Sequence, residues 1–273
     1  TPDERRLLDA LIDQAALAIE RVQLVADVER VKRSVENERL RSALLTSISH
    51  DLKTPLAAVL GAASALRDLR DKLSPGEQAD LLQTIIDESE RLNRFIANLL
   101  DMTRIESGAI MPKLARHDLR EIVGSAIRRA EKMLHDRRIE LDVAADIPML
   151  ELDAVLFEQV LFNILDNAAT YAPPGTPITI RTARDGASAV IEIMDEGDGI
   201  AEEDLERVFD KFYRTMKADK VRAGTGLGLA ISRGFVEAMH GTIVAGNRPG
   251  RGGAVFTIRL PIPSENAILD TAA

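Results

Sequence analysis

Four short stretches of this 273-residue chain carry side chains whose types and spacing could do chemistry. The first is Ser49-His50-Asp51-Leu52-Lys53-Thr54-Pro55-Leu56. A neutral imidazole near pH 7 is a competent nitrogen nucleophile, and the adjacent Asp51 carboxylate can take or steady the proton that His50 sheds. Thr54 lies one turn beyond His50 on the same helical face. Pro55 has no N–H, so the carbonyl of Asp51 loses its helical partner and a kink is expected. Taken alone, the segment reads as readily as a surface helix with a solvated histidine.

The second stretch is Asn163-Ile164-Leu165-Asp166-Asn167-Ala168-Ala169-Thr170-Tyr171-Ala172-Pro173. Asn163, Asn167 and Thr170 or Tyr171 share one helical face. Their amide oxygens are hard donors suited to a Mg²⁺ that also holds phosphates and water, although two asparagines on a helix are more often solvated. The third is Asp195-Glu196-Gly197-Asp198-Gly199-Ile200, after a strand-like run. Asp195 offers an acceptor to an exocyclic amine, and Gly197 and Gly199 let backbone approach a flat ring. The fourth, Gly224-Thr225-Gly226-Leu227-Gly228-Leu229-Ala230, opens a helix expected to run to His240. Free N–H groups and the helix dipole make such a start a natural phosphate site. Between the last two lies Phe209-Asp210-Lys211-Phe212-Tyr213-Arg214, then residues 215–223 with three basic side chains. That segment reads as a lid over phosphates or, almost equally well, as a solvated loop.

The elements that must position these groups can be read from hydrophobic period. Residues 4–69 read as one long helix. Leu8, Leu11, Ala15, Ala18, Val22 and Val25 fall at alternating steps of three and four, the seam of a dimeric coiled coil. Consecutive steps of three from Val22 to Val31 shift its phase. The helix is expected to end before Asp71. Ser74 with Glu77 forms a capping box ahead of a second helix, with Pro75 at its first position. That helix carries Leu81, Leu82, Ile85, Ile86, Leu92, Ile96, Leu99, Leu100 and Ile105, and Gly108 is its stop. The stripe is too broad for one partner helix, so two copies of the hairpin are expected to close a four-helix bundle, making the chain a homodimer.

From about Lys113 the period changes. Helices are expected over 119–134, capped by Asp118, and over 154–170, capped by Asp153. Strands are expected over Ile139–Val143, Ile178–Ala183, Ala189–Met194, Thr242–Ala245 and Ala254–Leu260, with turns at Pro173-Pro174-Gly175 and at 249–253. This order suggests a sheet backed by helices on one face. The division is therefore 1–42, a leading helix; 43–110, the hairpin; 113–262, the α/β layer; and 263–273, a frayed tail.

Composition narrows the function classes. The chain is 45% hydrophobic, too apolar for a disordered segment. It has no cysteine, which excludes a disulfide scaffold, a thiolate metal site and a cysteine nucleophile. A net charge of −9 argues against nucleic acid as partner. No apolar run reaches the roughly 18–20 residues of a spanning helix. A start at Thr1 without Met, in what reads as mid-domain, suggests a fragment of a larger protein.

In order and spacing, the four stretches and the Phe209–Arg214 segment between the last two resemble the H, N, G1, F and G2 boxes of bacterial sensor histidine kinases, over roughly residues 30–262. The resemblance implies a fold of α plus α/β type: a dimerisation and histidine-phosphotransfer hairpin, then a Bergerat-type ATP-binding α/β sandwich. It implies His50 as phosphoacceptor, Asp51 as its acidic helper, and Thr54 where the family positions water for dephosphorylating its partner. Asn167 would ligate Mg²⁺ with Asn163 beside it, and Asp195 would meet the adenine amine in a pocket shaped by Gly197 and Gly199. Tyr171, Lys211, Arg214, Gly224, Gly226, Leu227 and Gly228 would complete the ATP site. The implied partner is the receiver domain of a response regulator, and the implied setting is the cytoplasmic portion of an inner-membrane protein. Leu7–Leu24 looks like the closing helix of a GAF domain, and with the H box it is similar to KdpD-type potassium-response sensors. Thr170 departs from the family, which carries a basic residue there. Two rivals remain. A gyrase- or Hsp90-like ATPase would carry a catalytic Glu where Asn163 stands, and a dimeric nucleotide-binding scaffold would not catalyse.

Overall fold

The computed structural model describes residues 49, 51–134, 136–214, 225–250 and 252–263. The coiled-coil seam, the GAF-like segment, His50, His135, Gly224, the 215–223 stretch and the tail lie outside the described residues. The chain divides into two compact units, Thr1–Ser89 and Glu90–Ala273.

In the first unit, residues 51–68 are helical (α1) through Pro55, which is buried, as is Ala62. Leu69 closes α1 by donating its N–H to Ala65 O at 2.9 Å, and a single 3-10 turn spans Arg70–Lys72. The second helix, α2, covers Pro75–Glu106 and so crosses the unit boundary. Its start is the expected capping box. Ser74 N donates to Glu77 Oε2 at 2.8 Å, and Glu77 N donates back to Ser74 Oγ at 3.3 Å. The Ser74 N–H and, after it, the Ser74 hydroxyl donate to the Glu77 carboxylate and hold it below its ordinary range. Gly108, at φ +64°, ends α2, and Ala109 N returns to Arg104 O at 2.9 Å, satisfying a carbonyl of the last turn.

The second unit continues with β1 (Ala115–His117), α3 (Leu119–Leu134), β2 (Ile139–Val143), β3 (Leu150–Leu152), α4 (Ala154–Tyr171), β4 (Ile178–Asp185), β5 (Ser188–Met194), α5 (Gly228–Ala238), β6 (Thr242–Asn247) and β7 (Ala254–Pro261). The main sheet has the order β2-β4-β5-β7-β6. β2 runs parallel to β4 and every other neighbouring pair is antiparallel. Alternation decides which face is covered. Ile178, Ile180, Ile191, Ile193, Phe256 and Ile258 are buried, as are Phe157, Leu161 and Ile164 of α4 and Ile231 and Phe235 of α5. On the other face Arg181 pairs with Asp142 at 3.2 Å and Glu192 at 3.8 Å, and Arg259 with Asp185 at 2.7 Å.

The structure differs from expectation in several places, β4 and β6 each running two residues further, to Asp185 and Asn247. β1 and β3 pair antiparallel, Ala115 opposite Leu152, but at three residues each they are too short to show a period. α5 ends at Ala238 rather than His240. His240 takes φ +60°, and a Cβ on Gly241 would meet Arg259 O at 2.6 Å, so the chain must turn there to enter β6 against β7.

Candidate functional site

The site is assembled where β5 ends. Asp195 N donates to Ala254 O at 3.1 Å, extending the β5–β7 ladder by one residue. The Asp195 side chain, 6% exposed, accepts at Oδ1 from Gly197 N at 2.8 Å and Ala254 N at 3.1 Å. Its second oxygen has no donor among the described residues and is not sealed from solvent, which leaves it open to one. A ligand amine would supply it. A Cβ on Gly197 would lie 3.2 Å from Tyr171 O and 3.4 Å from Ala172 Cα, so the end of α4 presses on this loop.

The loop is braced from behind by residues that motif reading passed over. Asn247 Oδ1 accepts from Ile200 N at 2.8 Å, and its Nδ2 donates to Ile200 O at 2.6 Å. Arg248 donates to Asp195 O at 3.1 Å and reaches Glu196 at 3.3 Å. Gly199, at φ +77°, fits beneath the clamp because a Cβ would stand 2.6 Å from Asn247 Oδ1. In the sequence, Asn247 and Arg248 look like nothing more than the approach to a Pro-Gly turn.

α4 starts at Asp153, which accepts from Val155 N at 3.0 Å and Leu156 N at 3.2 Å. Asn163 is 8% exposed and engaged at both ends of its carboxamide. Its Oδ1 accepts from Gln159 Nε2 at 3.0 Å, and its Nδ2 donates to Gly228 O at 3.1 Å and to the fully buried Ser232 Oγ at 3.3 Å. Asn163 thus ties α4 to the first turn of α5. Asn167, one turn further on, is half-buried and no described residue takes its carboxamide. As a neutral hard oxygen donor it fits Mg²⁺. Thr170 is half-buried, and Tyr171 is 47% exposed.

Between the loop and α5, Phe209 is buried edge-on to Phe256, ring centroids 6.4 Å apart, with the Arg233 guanidinium 4.1 Å from its ring centroid. Tyr213 donates its hydroxyl to Asp204, which pushes the phenol above its ordinary pKa, and Arg207 lies over its ring. Lys211 Nζ pairs with Glu106 of α2 at 2.5 Å. Phe212, at φ +61°, donates its N–H to Gly226 O at 2.9 Å, and Gly226 takes φ +65° where a Cβ would sit 2.8 Å from Phe212. Leu227 is fully buried, and α5 begins at Gly228 with no side-chain cap, leaving its first N–H groups for a ligand. Arg214 is half-buried.

The structure therefore brings Asn163 to Gly228, and Tyr171 to Gly197 and Asp195. In the first unit Asp51 is half-buried and Thr54 exposed on α1.

Comparison with known proteins assigns one family to the helical hairpin and another to the α/β layer. Residues 40–108 match the His Kinase A (phospho-acceptor) domain, and residues 152–264 match the Histidine kinase-, DNA gyrase B-, and HSP90-like ATPase family, which implies ATP binding by the second unit. Over 95% of its length the chain is 39% identical to the sensor protein KdpD of Clostridium acetobutylicum and 38% identical to that of Escherichia coli K12. It spans 29% of the length of each. Among solved structures it resembles the Acinetobacter baumannii histidine kinase AdeS, with TM-score 0.63 and 25% identity over 79% of this chain and 98% of that one. It also resembles full-length ShkA in complex with AMPPNP, with TM-score 0.60 and 26% identity over 82% of this chain and 46% of that one. A phospho-acceptor domain followed by this ATPase domain, with relatives that are sensor kinases along nearly the whole chain, makes this protein a member of the sensor histidine kinase family.

Proposed function

We propose that the chain is a kinase core that moves the γ-phosphoryl group of ATP to His50 and then to an aspartate of a response regulator. The observation that carries the reading is the Asp195 carboxylate, fixed through one oxygen by two backbone N–H groups with the other left to a ligand amine. Such an acceptor suits the exocyclic amine of adenine. The AMPPNP found with ShkA supports a nucleotide in the corresponding domain here.

The residues divide the work as follows. Asp195 orients the base, with Gly197 and Gly199 letting the loop that carries it pack against α4 and Asn247. Gly224, Gly226, Leu227 and Gly228 would frame the phosphates, with the uncapped N–H groups of the first turn of α5 turned to them. Tyr171, Lys211 and Arg214 stand around the nucleotide, and Lys211 must leave Glu106 to reach it. Asn167 would hold Mg²⁺, which neutralises charge on the phosphates. Asn163, whose carboxamide is spent inside the protein, sets the spacing of the two helices. In the transfer, the bond from the γ-phosphorus to ADP breaks as one forms to an imidazole nitrogen of His50, and Asp51 accepts or steadies the imidazole proton. Positioning and electrostatics carry the rate, because the protein has little covalent work to do.

The rival ATPase reading is disfavoured at Asn163: a carboxamide cannot deprotonate water, and this one is buried and occupied. The reading extends to a homodimer, supported by apolar side chains left in solvent on the hairpin. Leu60 is 66%, Leu82 53% and Ile86 50% exposed. It extends also to a cytoplasmic setting, where ATP is available. No helix among the described residues is long and apolar enough to cross a membrane. Incubation with γ-labelled ATP and Mg²⁺ tests the reading. Acid-labile, base-stable label on wild type and none on His50→Gln is expected; equal labelling of the variant would refute it.

A further inference from the structure

Arg137 belongs to none of the four chemical stretches, yet its guanidinium makes an unusual set of contacts. Nη1 donates to Pro173 O at 2.9 Å and Thr176 Oγ1 at 3.1 Å. Nη2 donates to Ala169 O at 2.8 Å and Ala172 O at 2.7 Å. All four terminal N–H groups are thus spent on uncharged oxygens at or just beyond the C-terminus of α4. No carboxylate pairs with Arg137 among the described residues. The negative end of the helix dipole takes that place, and only a planar fork reaches so many acceptors at once.

What this end of α4 supports is the base-binding loop. Tyr171 O and Ala172 Cα stand within 3.4 Å of where a Gly197 side chain would begin, and Gly197 N is one of the two donors that fix Asp195 Oδ1. Arg137, the end of α4, Gly197 and Asp195 therefore form an unbroken line of contacts. Asn247 and Arg248 brace the opposite side of the same loop. If α4 frayed by one residue, Gly197 would lose its backing and the carboxylate its aim.

We propose that Arg137 is a positioning residue for nucleotide recognition: it locks the end of α4 against Gly197 and so sets the preference of Asp195 for a base bearing an exocyclic amine. This rests on the assignment of Asp195 to the base. Arg137 grips the end of α4 that backs Gly197, so its effect should fall on the base and not on the phosphates.

The test is calorimetric titration of wild type, Arg137→Met and Arg137→Lys with ATP, adenosine and inosine, which lacks the amine. Each variant is kept at a temperature where circular dichroism shows it folded. In Arg137→Met, ATP and adenosine should both weaken by the same factor, about tenfold, while inosine moves little. Arg137→Lys keeps the charge and loses the fork, so it should recover only part of the loss. Labelling at saturating ATP should keep its wild-type kcat while KM rises, and hydrogen exchange at the Gly197 amide should quicken. Loss of thermal stability with adenosine affinity and Gly197 exchange unchanged would overturn the proposal, as would weakening of ATP alone. If wild type itself binds inosine as tightly as adenosine, Asp195 does not read the amine. That result needs no variant, and it removes the base assignment together with this proposal.

Discussion

At the scale of single residues, Thr170 is the position most open to improvement. The side chain is short, uncharged and half-buried on the face of α4 that carries Asn167. A lysine there would reach phosphate oxygens, and a charge-assisted hydrogen bond contributes about 1.5–3 kcal/mol, with the low end expected in a partly solvated site. Thr170→Lys should therefore tighten ATP by roughly tenfold and adenosine hardly at all, an advantage that shrinks at high salt. Equal gains for both ligands in calorimetry would show that the lysine acts elsewhere than on the phosphates. Ser232 makes a second case. Its hydroxyl accepts from Asn163 Nδ2 and donates to Gly228 O at 2.9 Å, entirely out of solvent. Ser232→Ala strands an amide hydrogen, at a cost of about 1–3 kcal/mol in stability. Because it loosens α4 from α5, it should weaken ATP with Mg²⁺ more than adenosine. A melting curve with both titrations checks this, and parallel losses for the two ligands would mean that Asn163 does not set the helix spacing.

At the scale of elements, the hairpin exposes what it would bury against a second copy. Leu82, Ile86, Ile96 and Leu100 of α2 are each 45% exposed or more, and their numbers fit one repeat of alternating four and three. Ile86→Glu should turn a dimer into a monomer, read by light scattering, while adenosine affinity stays at the wild-type value. A dimer that survives the glutamate would place the contact on another face. Legibility in the sequence followed element length. α3 and β2 fall on the expected bounds, and α4 and the capping box at Ser74 lie within a residue of theirs, because caps and period act over a few neighbouring residues. β1 and β3 were not legible, since three residues carry no period. The same divide runs through the site. Asp195, Asn167 and the glycines stand in short motifs, whereas Asn247, Arg248, Ser232 and Arg137 act over separations of tens of residues that no local pattern records.

At the scale of the whole molecule, two domains divide one reaction. On the proposed reading the ATPase-family domain would present the nucleotide and the phospho-acceptor domain His50; the chain amounts to 29% of the length of its KdpD relatives. The two activities assigned to the H box can be separated within it. Thr54 is exposed on α1; on the proposed reading it would align a water on a partner's aspartyl phosphate and take no part in transfer to His50. Thr54→Ala should keep autophosphorylation and lose most dephosphorylation of the cognate regulator, followed by loss of label from the phosphorylated receiver domain. Equal loss of both would leave Thr54 a support for the helix around Pro55. The central claim is that this chain catalyses phosphoryl transfer from ATP to His50. Its most direct test is mass-spectrometric mapping of the phosphorylated residue after reaction with ATP and Mg²⁺, in wild type and in Asp195→Asn. Phosphate on His50 in wild type, with labelling strongly reduced in Asp195→Asn, is the expected result. ATP consumed with no phosphate on His50, or labelling indifferent to Asp195, would contradict it.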